Sequence, residues 1–169
     1  MTEKQSKVIK SFVLPMAINA GIARIVLDLI PKILHVEPLL YYSTFLIAFI
    51  AEIILIRYML KKFKLLNQNT FSLKQALLIG VTIMVVIGSF YGISSYIYDT
   101  YIDPDFQVNT ALNWAQMWGG GSEKEIMDKI SQRPSGNKFT GVLFTILWFT
   151  FVGFVTSFIT GIVVGASRK

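Results

Sequence analysis

The sequence contains no cysteine and a single histidine, His35. The lack of cysteine excludes disulfides, thiolate metal sites and thiol redox centres. His35 has no second histidine or nucleophile near it in the sequence, so no zinc site or catalytic triad is indicated, and no phosphate-binding loop is present. We therefore expect a protein that is not an enzyme and that has no cofactor and no metal site.

Charged residues are also scarce, at 15% of the chain against 53% hydrophobic residues, and the mean hydropathy is +0.56. A water-soluble domain of 169 residues could not bury this much apolar surface, so lipid must be the solvent for most of it. The 16 Lys and Arg residues outnumber the 10 Asp and Glu residues, but they lie between apolar runs. This placement favours contact with membrane lipid headgroups and argues against a nucleic-acid partner.

Four apolar runs are long enough to cross a bilayer as helices, which takes about 20 residues each. They cover residues 12–30, 39–60, 76–98 and 139–164. The basic lead before the first run resembles a signal peptide, but we expect an uncleaved first span. The fold predicted for residues 1–169 is a single all-α membrane domain, a polytopic protein with four transmembrane helices.

The charges between the runs predict the orientation. With the N-terminus inside, the cytoplasmic segments hold nine Lys and Arg residues against Glu3 alone. The opposite side holds five basic and seven acidic residues, most of them in the loop 99–138. The positive-inside rule therefore predicts two cytoplasmic termini and an extracytoplasmic loop 99–138, in the inner (cytoplasmic) membrane of a bacterium.

The loop begins with three aspartates, Asp99, Asp103 and Asp105, within seven positions. Such a cluster raises the alternative of a hard cation, but it lacks the ligand pattern and the glycine of a calcium loop. Asp103 followed by Pro104 instead predicts the N-cap and first residue of a helix. We expect the aspartates to organise a turn and not to bind metal.

Two short amphipathic helices are predicted within the loop. The first runs from Pro104 to about Trp118, with an apolar face formed by Val108, Ala111, Leu112, Ala115 and Trp118. The second opens at a capping box, Ser122 with Glu125. A similar box, Ser72 with Gln75, precedes the third span.

Polar residues inside the first two spans form a candidate binding site, because intramembrane charges are costly. Arg24 and Asp28 lie four residues apart and share a helix face. Glu52 of the antiparallel second span leans toward them, and Asn19 lies near the level of Glu52. The cluster is either a structural clamp between two helices or the lining of a cavity for a lipid headgroup, an ion or a proton.

The fourth span carries small residues at every fourth position: Gly153, Ser157, Gly161 and Gly165. Such a stripe allows two helix backbones to approach closely. It predicts a packing face within the bundle, or a face that docks a membrane-protein partner or a second copy of the chain.

Four segments resemble the domain of unknown function 4199 family of small four-span membrane proteins from Bacteroidetes. They are FSLKQALLIG (71–80), YIYDTYIDPDF (96–106), AQMWGGGSEKEI (115–126) and GFVTSFITGIVVGASRK (153–169). The resemblance implies an inner-membrane protein without assigned activity, and it transfers no functional residues. It also implies an accessory role beside a glycosyltransferase that acts on polyprenyl phosphates.

Two functions therefore stand as hypotheses. One is a non-enzymatic accessory or scaffold subunit of a membrane complex, which would dock its partner through the fourth span and the loop. The alternative is a small transporter or lipid-binding protein that uses the polar cluster between spans one and two.

Overall fold

The computed structural model describes residues 7, 9–67, 71–119, 122–131 and 138–166 of the chain. Within these ranges it is helical and contains no strand. The helices are α1 (Leu14–Ile33), α2 (Pro38–Leu66), α3 (Leu73–Ile97), α4 (Phe106–Met117), α5 (Glu123–Ser131) and α6 (Lys138–Ala166). Short π-helical segments, Ile9–Val13 and Tyr98–Ile102, precede α1 and continue α3.

Helices α1, α2, α3 and α6 are long and apolar enough to cross a membrane. They extend beyond the predicted spans, most clearly at the end of α2, which reaches Leu66, and at the end of α1, which reaches Ile33. Their outward faces carry exposed leucine, isoleucine and phenylalanine side chains, as expected of surfaces in contact with lipid. The end of the bundle that carries α4 and α5 is called the loop end below.

Helix α3 lies at the centre of the bundle. It packs most extensively against α6, and it also contacts α1 and α2. Its start is capped as predicted, because Ser72 Oγ accepts from the Gln75 amide and the Gln75 side chain accepts from the Ser72 amide. The Ser122 and Glu125 box at the start of α5 is formed in the same reciprocal way.

The small-residue stripe of α6 is used inside the bundle. A Cβ on Gly153 would lie 2.8 Å from the carbonyl oxygen of Gly80, and one on Gly161 would lie 2.7 Å from the Ala76 Cβ. Ser157 is fully buried and donates to the Gly153 carbonyl oxygen at 2.5 Å. Gly165, at the end of the stripe, is exposed. Three of the four residues therefore form the contact between α3 and α6.

Helix α1 ends in a Schellman motif. His35 has a φ of 46°, its amide donates to the Lys32 carbonyl, and the Val36 amide donates to the Pro31 carbonyl. Histidine is one of the few residues other than glycine that adopt this left-handed conformation. The motif turns the chain directly into Pro38, the first residue of α2, and fixes the two helices as antiparallel neighbours.

The predicted cap at Asp103 is wrong. The Asp103 amide donates to the Tyr98 carbonyl, so this residue ends the π-helical segment, and α4 begins later, at Phe106, without a side-chain cap. The buried residues of α4 are Phe106 and Thr110, whereas Ala111 and Trp118 of the predicted apolar face are exposed. The π-helical turn delays the start of α4, and the exposed Ala111 and Trp118 stay available for contact with the membrane surface.

Candidate binding site

Three charged residues of α1 occupy its buried face at intervals of four residues: Arg24, Asp28 and Lys32. Their residue exposures are 3%, 6% and 0%. Residues four apart lie above one another on a helix, so the three side chains form a column that faces α2 and α3. The column places charge along the interior of the first span.

The lower part of this column is an ion pair between α1 and α2. Arg24 Nη1 lies 3.2 Å from Oε1 of Glu52. The guanidinium carbon also lies 4.3 Å from the ring centroid of Phe45 and 4.7 Å from that of Tyr91. These contacts between a cation and aromatic rings stabilise the charge away from water.

Only one oxygen of Glu52 is engaged by this pair. Within the described part of the chain, Oε2 of Glu52 is buried and has no hydrogen-bond donor. The side chain is 7% exposed. A buried acceptor without a donor is energetically costly, so a group that donated a hydrogen bond to Oε2 would be stabilised.

The upper part of the column is a network centred on Lys32. The Lys32 ammonium donates to Ser95 Oγ at 2.6 Å and to Asp99 Oδ1 at 3.1 Å. It also lies 3.1 Å from Asp28 Oδ2, in an ion pair that does not have the angle of a hydrogen bond. Lys32 therefore joins the first span to the end of the third.

Neighbouring side chains complete the network from two other helices. Tyr41 of α2 donates to Asp28 Oδ1 at 3.1 Å, and Gln107 of α4 donates to Asp99 Oδ2 at 2.8 Å. The rings of Tyr98 and Phe106 each lie 5.3 Å from the Lys32 nitrogen. Side chains from α2, α3, α4 and the π-helical segment Tyr98–Ile102 therefore surround the Lys32 ammonium group and its carboxylate partners.

The formal charges of the two parts differ. Arg24 and Glu52 cancel, whereas Lys32 is shared between two carboxylates, those of Asp28 and Asp99. Asp99 is the most accessible of the three charged residues in the Lys32 network, with a side chain that is 20% exposed.

The predicted cluster is thus brought together in part. Arg24 and Glu52 are in contact, but Asp28 forms its ion pair with Lys32 one turn further along α1. Asn19 was wrongly placed in the cluster, because it lies on an exposed face of α1. Asn19 lies nine positions before Asp28, which is two and a half helical turns. Asn19 therefore lies on the side of α1 opposite to Asp28.

Lys32 and its partner Asp99 are missing from the predicted site. The predicted first span ended at Ile30, so Lys32 was counted among the charges outside the span. Pro31 is buried inside α1, which continues for another two residues. The available signal was the spacing of Arg24, Asp28 and Lys32, each four residues after the last.

A cavity of about 470 Å³ lies beside this network at the loop end, between α3, α4 and α6. We call it the chamber; it is lined by residues that include Ser95, Tyr96, Asp99, Thr100, Gln107 and Gly141. Thr100 Oγ1 is buried and has no hydrogen-bond partner among the described residues. The chamber therefore offers carboxylate and hydroxyl oxygens beside the Lys32 network.

A second, smaller cavity of about 100 Å³ lies between α1 and α2. We call it the crevice, and half of its lining residues are alanines. It is lined by Ala20, Ala23, Arg24, Leu27, Ala48, Ala51, Glu52 and Leu55. Ala23, Leu27 and Ala51 are exposed on the lipid-facing surface of the bundle. The crevice leads from that surface to the ion pair of Arg24 and Glu52.

The three loop aspartates do not come together as a group of metal ligands. Asp99 belongs to the Lys32 network, and Asp103 Oδ2 lies 3.9 Å from Nδ1 of His35. Among the residues that the structure describes, no three His, Cys, Asp or Glu side chains are grouped so that they could hold a metal ion.

Fold and site together define a four-span α-helical membrane protein with a column of buried charge on its first span. The chain belongs to the DUF4199 family, described as a protein of unknown function, whose model matches residues 15–165. No curated protein and no solved structure matches it.

Proposed function

We propose that this chain is a non-enzymatic lipid-binding protein of the bacterial inner membrane, which holds a lipid headgroup in the chamber. One observation carries the proposal: the chamber is lined by Asp99, the accessible carboxylate of the Lys32 network, and by Thr100, whose buried hydroxyl has no hydrogen-bond partner among the described residues. A ligand group that donates hydrogen bonds to these oxygens would be stabilised at this wall.

The lining favours a ligand that brings hydrogen-bond donors. The Thr100 hydroxyl, which can accept a hydrogen bond or donate one, has no partner among the described residues, and carboxylate oxygens such as those of Asp99 can each accept more than one hydrogen bond. A primary ammonium group supplies both a positive charge and three donors. The headgroup that fits this chemistry is the aminoethyl group of a phosphatidylethanolamine-type lipid.

Lipid binding is favoured here over the accessory role. The accessory hypothesis used the stripe of α6 and the loop, but Gly153, Ser157 and Gly161 of the stripe pack against α3. The chamber and the charged column are features of a ligand site and require no protein partner. For the polyprenyl-phosphate glycosyltransferase suggested by the family resemblance, the loop remains as the docking surface.

Native mass spectrometry of the protein with equal amounts of phosphatidylethanolamine and phosphatidylglycerol tests the proposal. We expect a roughly tenfold preference for phosphatidylethanolamine, the size expected of one charge-assisted hydrogen bond. Gly141→Phe, which fills the chamber at a position where a Cβ meets nothing within 4 Å, should remove the preference. Glu37→Gln, which removes an exposed carboxylate outside the chamber, should retain it.

Equal binding of the two lipids by the wild-type protein would contradict the proposal. The same conclusion would follow if Gly141→Phe and the wild-type protein showed the same preference. Asp99→Asn provides a second check, because it removes the carboxylate charge from the chamber wall while it keeps the size of the side chain, and it should weaken the preference.

The proposed orientation has a direct test, since the natural sequence contains no cysteine and every introduced thiol is unique. We expect a membrane-impermeant maleimide to label Gln116→Cys on intact cells, because this residue is exposed in α4. Leu65→Cys, exposed at the opposite end of the bundle, should be labelled only after the membrane is permeabilised. The reverse pattern would place the termini outside.

A further inference from the structure

The crevice differs from the chamber in its access and in its chemistry. It opens sideways between α1 and α2. Its walls are alanine and leucine side chains, and the charged residues Arg24 and Glu52 form what we call its floor. Because Ala23, Leu27 and Ala51 are exposed to the lipid-facing side, a molecule would enter it from the hydrocarbon region. A ligand for this site must therefore be mostly apolar.

The floor of the crevice requires a hydrogen-bond donor. Arg24 occupies Oε1 of Glu52 and is itself held by the aromatic rings of Phe45 and Tyr91. Oε2 of Glu52 has no donor within the described part of the chain, although the side chain is more than nine-tenths buried. A carboxylate oxygen is an acceptor only, so the group that satisfies it must donate.

We propose that the crevice binds the hydroxyl end of an alcohol dissolved in the membrane, with the hydroxyl donating to Oε2 of Glu52. A volume of about 100 Å³ accommodates roughly three water-sized groups, which is enough for a hydroxyl and its first carbons. The rest of the hydrocarbon chain lies in the lipid. This second site is independent of headgroup binding in the chamber, and it takes a neutral ligand by a lateral route.

Photocrosslinking in nanodiscs tests the proposal with a matched pair of probes. One probe is a long-chain primary alcohol that carries a diazirine near the hydroxyl, and the other is its methyl ether, which keeps the acceptor and lacks the donor. We expect the alcohol to label the residues around the crevice roughly tenfold more than the ether does, as for a hydrogen bond to a charged acceptor.

Two variants localise the effect. Ala51→Phe fills the crevice from its lipid-facing side and should abolish labelling by the alcohol, whereas Ile50→Phe, on an exposed position outside the crevice, should leave it unchanged. Glu52→Gln tests the hydrogen bond itself, because it keeps the shape of the side chain and leaves the crevice open. Because the amide oxygen must face Arg24, the amide nitrogen then faces the crevice, and the preference for alcohol over ether should disappear.

Equal labelling by the alcohol and the ether in the wild-type protein would overturn the proposal. It would mean that water, and not the hydroxyl of the probe, donates the hydrogen bond to Oε2 of Glu52. The proposal would also be overturned if Glu52→Gln kept the tenfold preference, or if Ala51→Phe were labelled as strongly as Ile50→Phe.

Discussion

Lys32→Met is expected to lower the free energy of unfolding by about 3–5 kcal/mol, the range measured when one partner of a buried ion pair is removed. Lys32 is fully buried and lies 3.1 Å from oxygens of both Asp28 and Asp99. Methionine keeps most of the volume but leaves two carboxylates without their common cation. Equilibrium unfolding by SDS titration in detergent micelles measures the change.

Two further variants separate the loss of charge from the loss of a side chain. Lys61→Met, at an exposed position of α2, should change stability by less than about 0.5 kcal/mol. Adding Asp28→Asn and Asp99→Asn to Lys32→Met should recover most of the lost stability, because no unpaired charge remains. If Lys32→Met were as stable as Lys61→Met, the Lys32 network would not hold the bundle together.

Gly153→Leu is the second change with a large expected effect. A Cβ on Gly153 would lie 2.8 Å from the Gly80 carbonyl oxygen and 2.8 Å from the Met84 Cβ. Since the first of these atoms belongs to the backbone, α3 and α6 must move apart, and we expect a loss of about 3 kcal/mol or failure to fold. The same unfolding titration, together with the yield of monodisperse protein, measures it.

Gly141→Leu is the matched control on the same helix. A Cβ on Gly141 meets no atom within 4 Å, so this variant gains the same helix propensity without the collision. The difference between the two leucine variants therefore isolates the contact between α3 and α6. Equal stabilities would mean that α6 does not pack closely on α3 through Gly153.

The sequence allowed the helices to be predicted where local signals are strong. The box of Ser72 and Gln75 locates the start of α3 because both halves of the motif lie within four residues. The contact between Arg24 and Glu52 was predictable from helix rise and from the lean of helical side chains. These arguments need only the geometry of one helix, or of two antiparallel neighbours.

The remainder of the site depends on distant parts of the chain. Asp99 lies 67 positions from Lys32 in the sequence, and the π-helical turn that carries it is not marked by any local pattern. Ser95 and Gln107 join the same network only because α3 and α4 meet beside α1. The spacing of residues on one helix therefore indicated two of the three residues of the column, Arg24 and Asp28, and tertiary packing determined the partners of the column.

The column on α1 also bears on how the protein enters the membrane during synthesis. Of the three charged residues, Arg24 lies near the middle of α1, Asp28 lies one turn further on, and Lys32 lies next to the end of the helix. A charged residue at the helix centre costs roughly 2.5–3.5 kcal/mol for insertion into lipid on the translocon scale. The partners that offset this cost belong to later parts of the chain: Glu52 on α2 and Asp99 after α3. The first span therefore gains its stable place in the bilayer only when the second and third have been made, so insertion is a joint event of three helices.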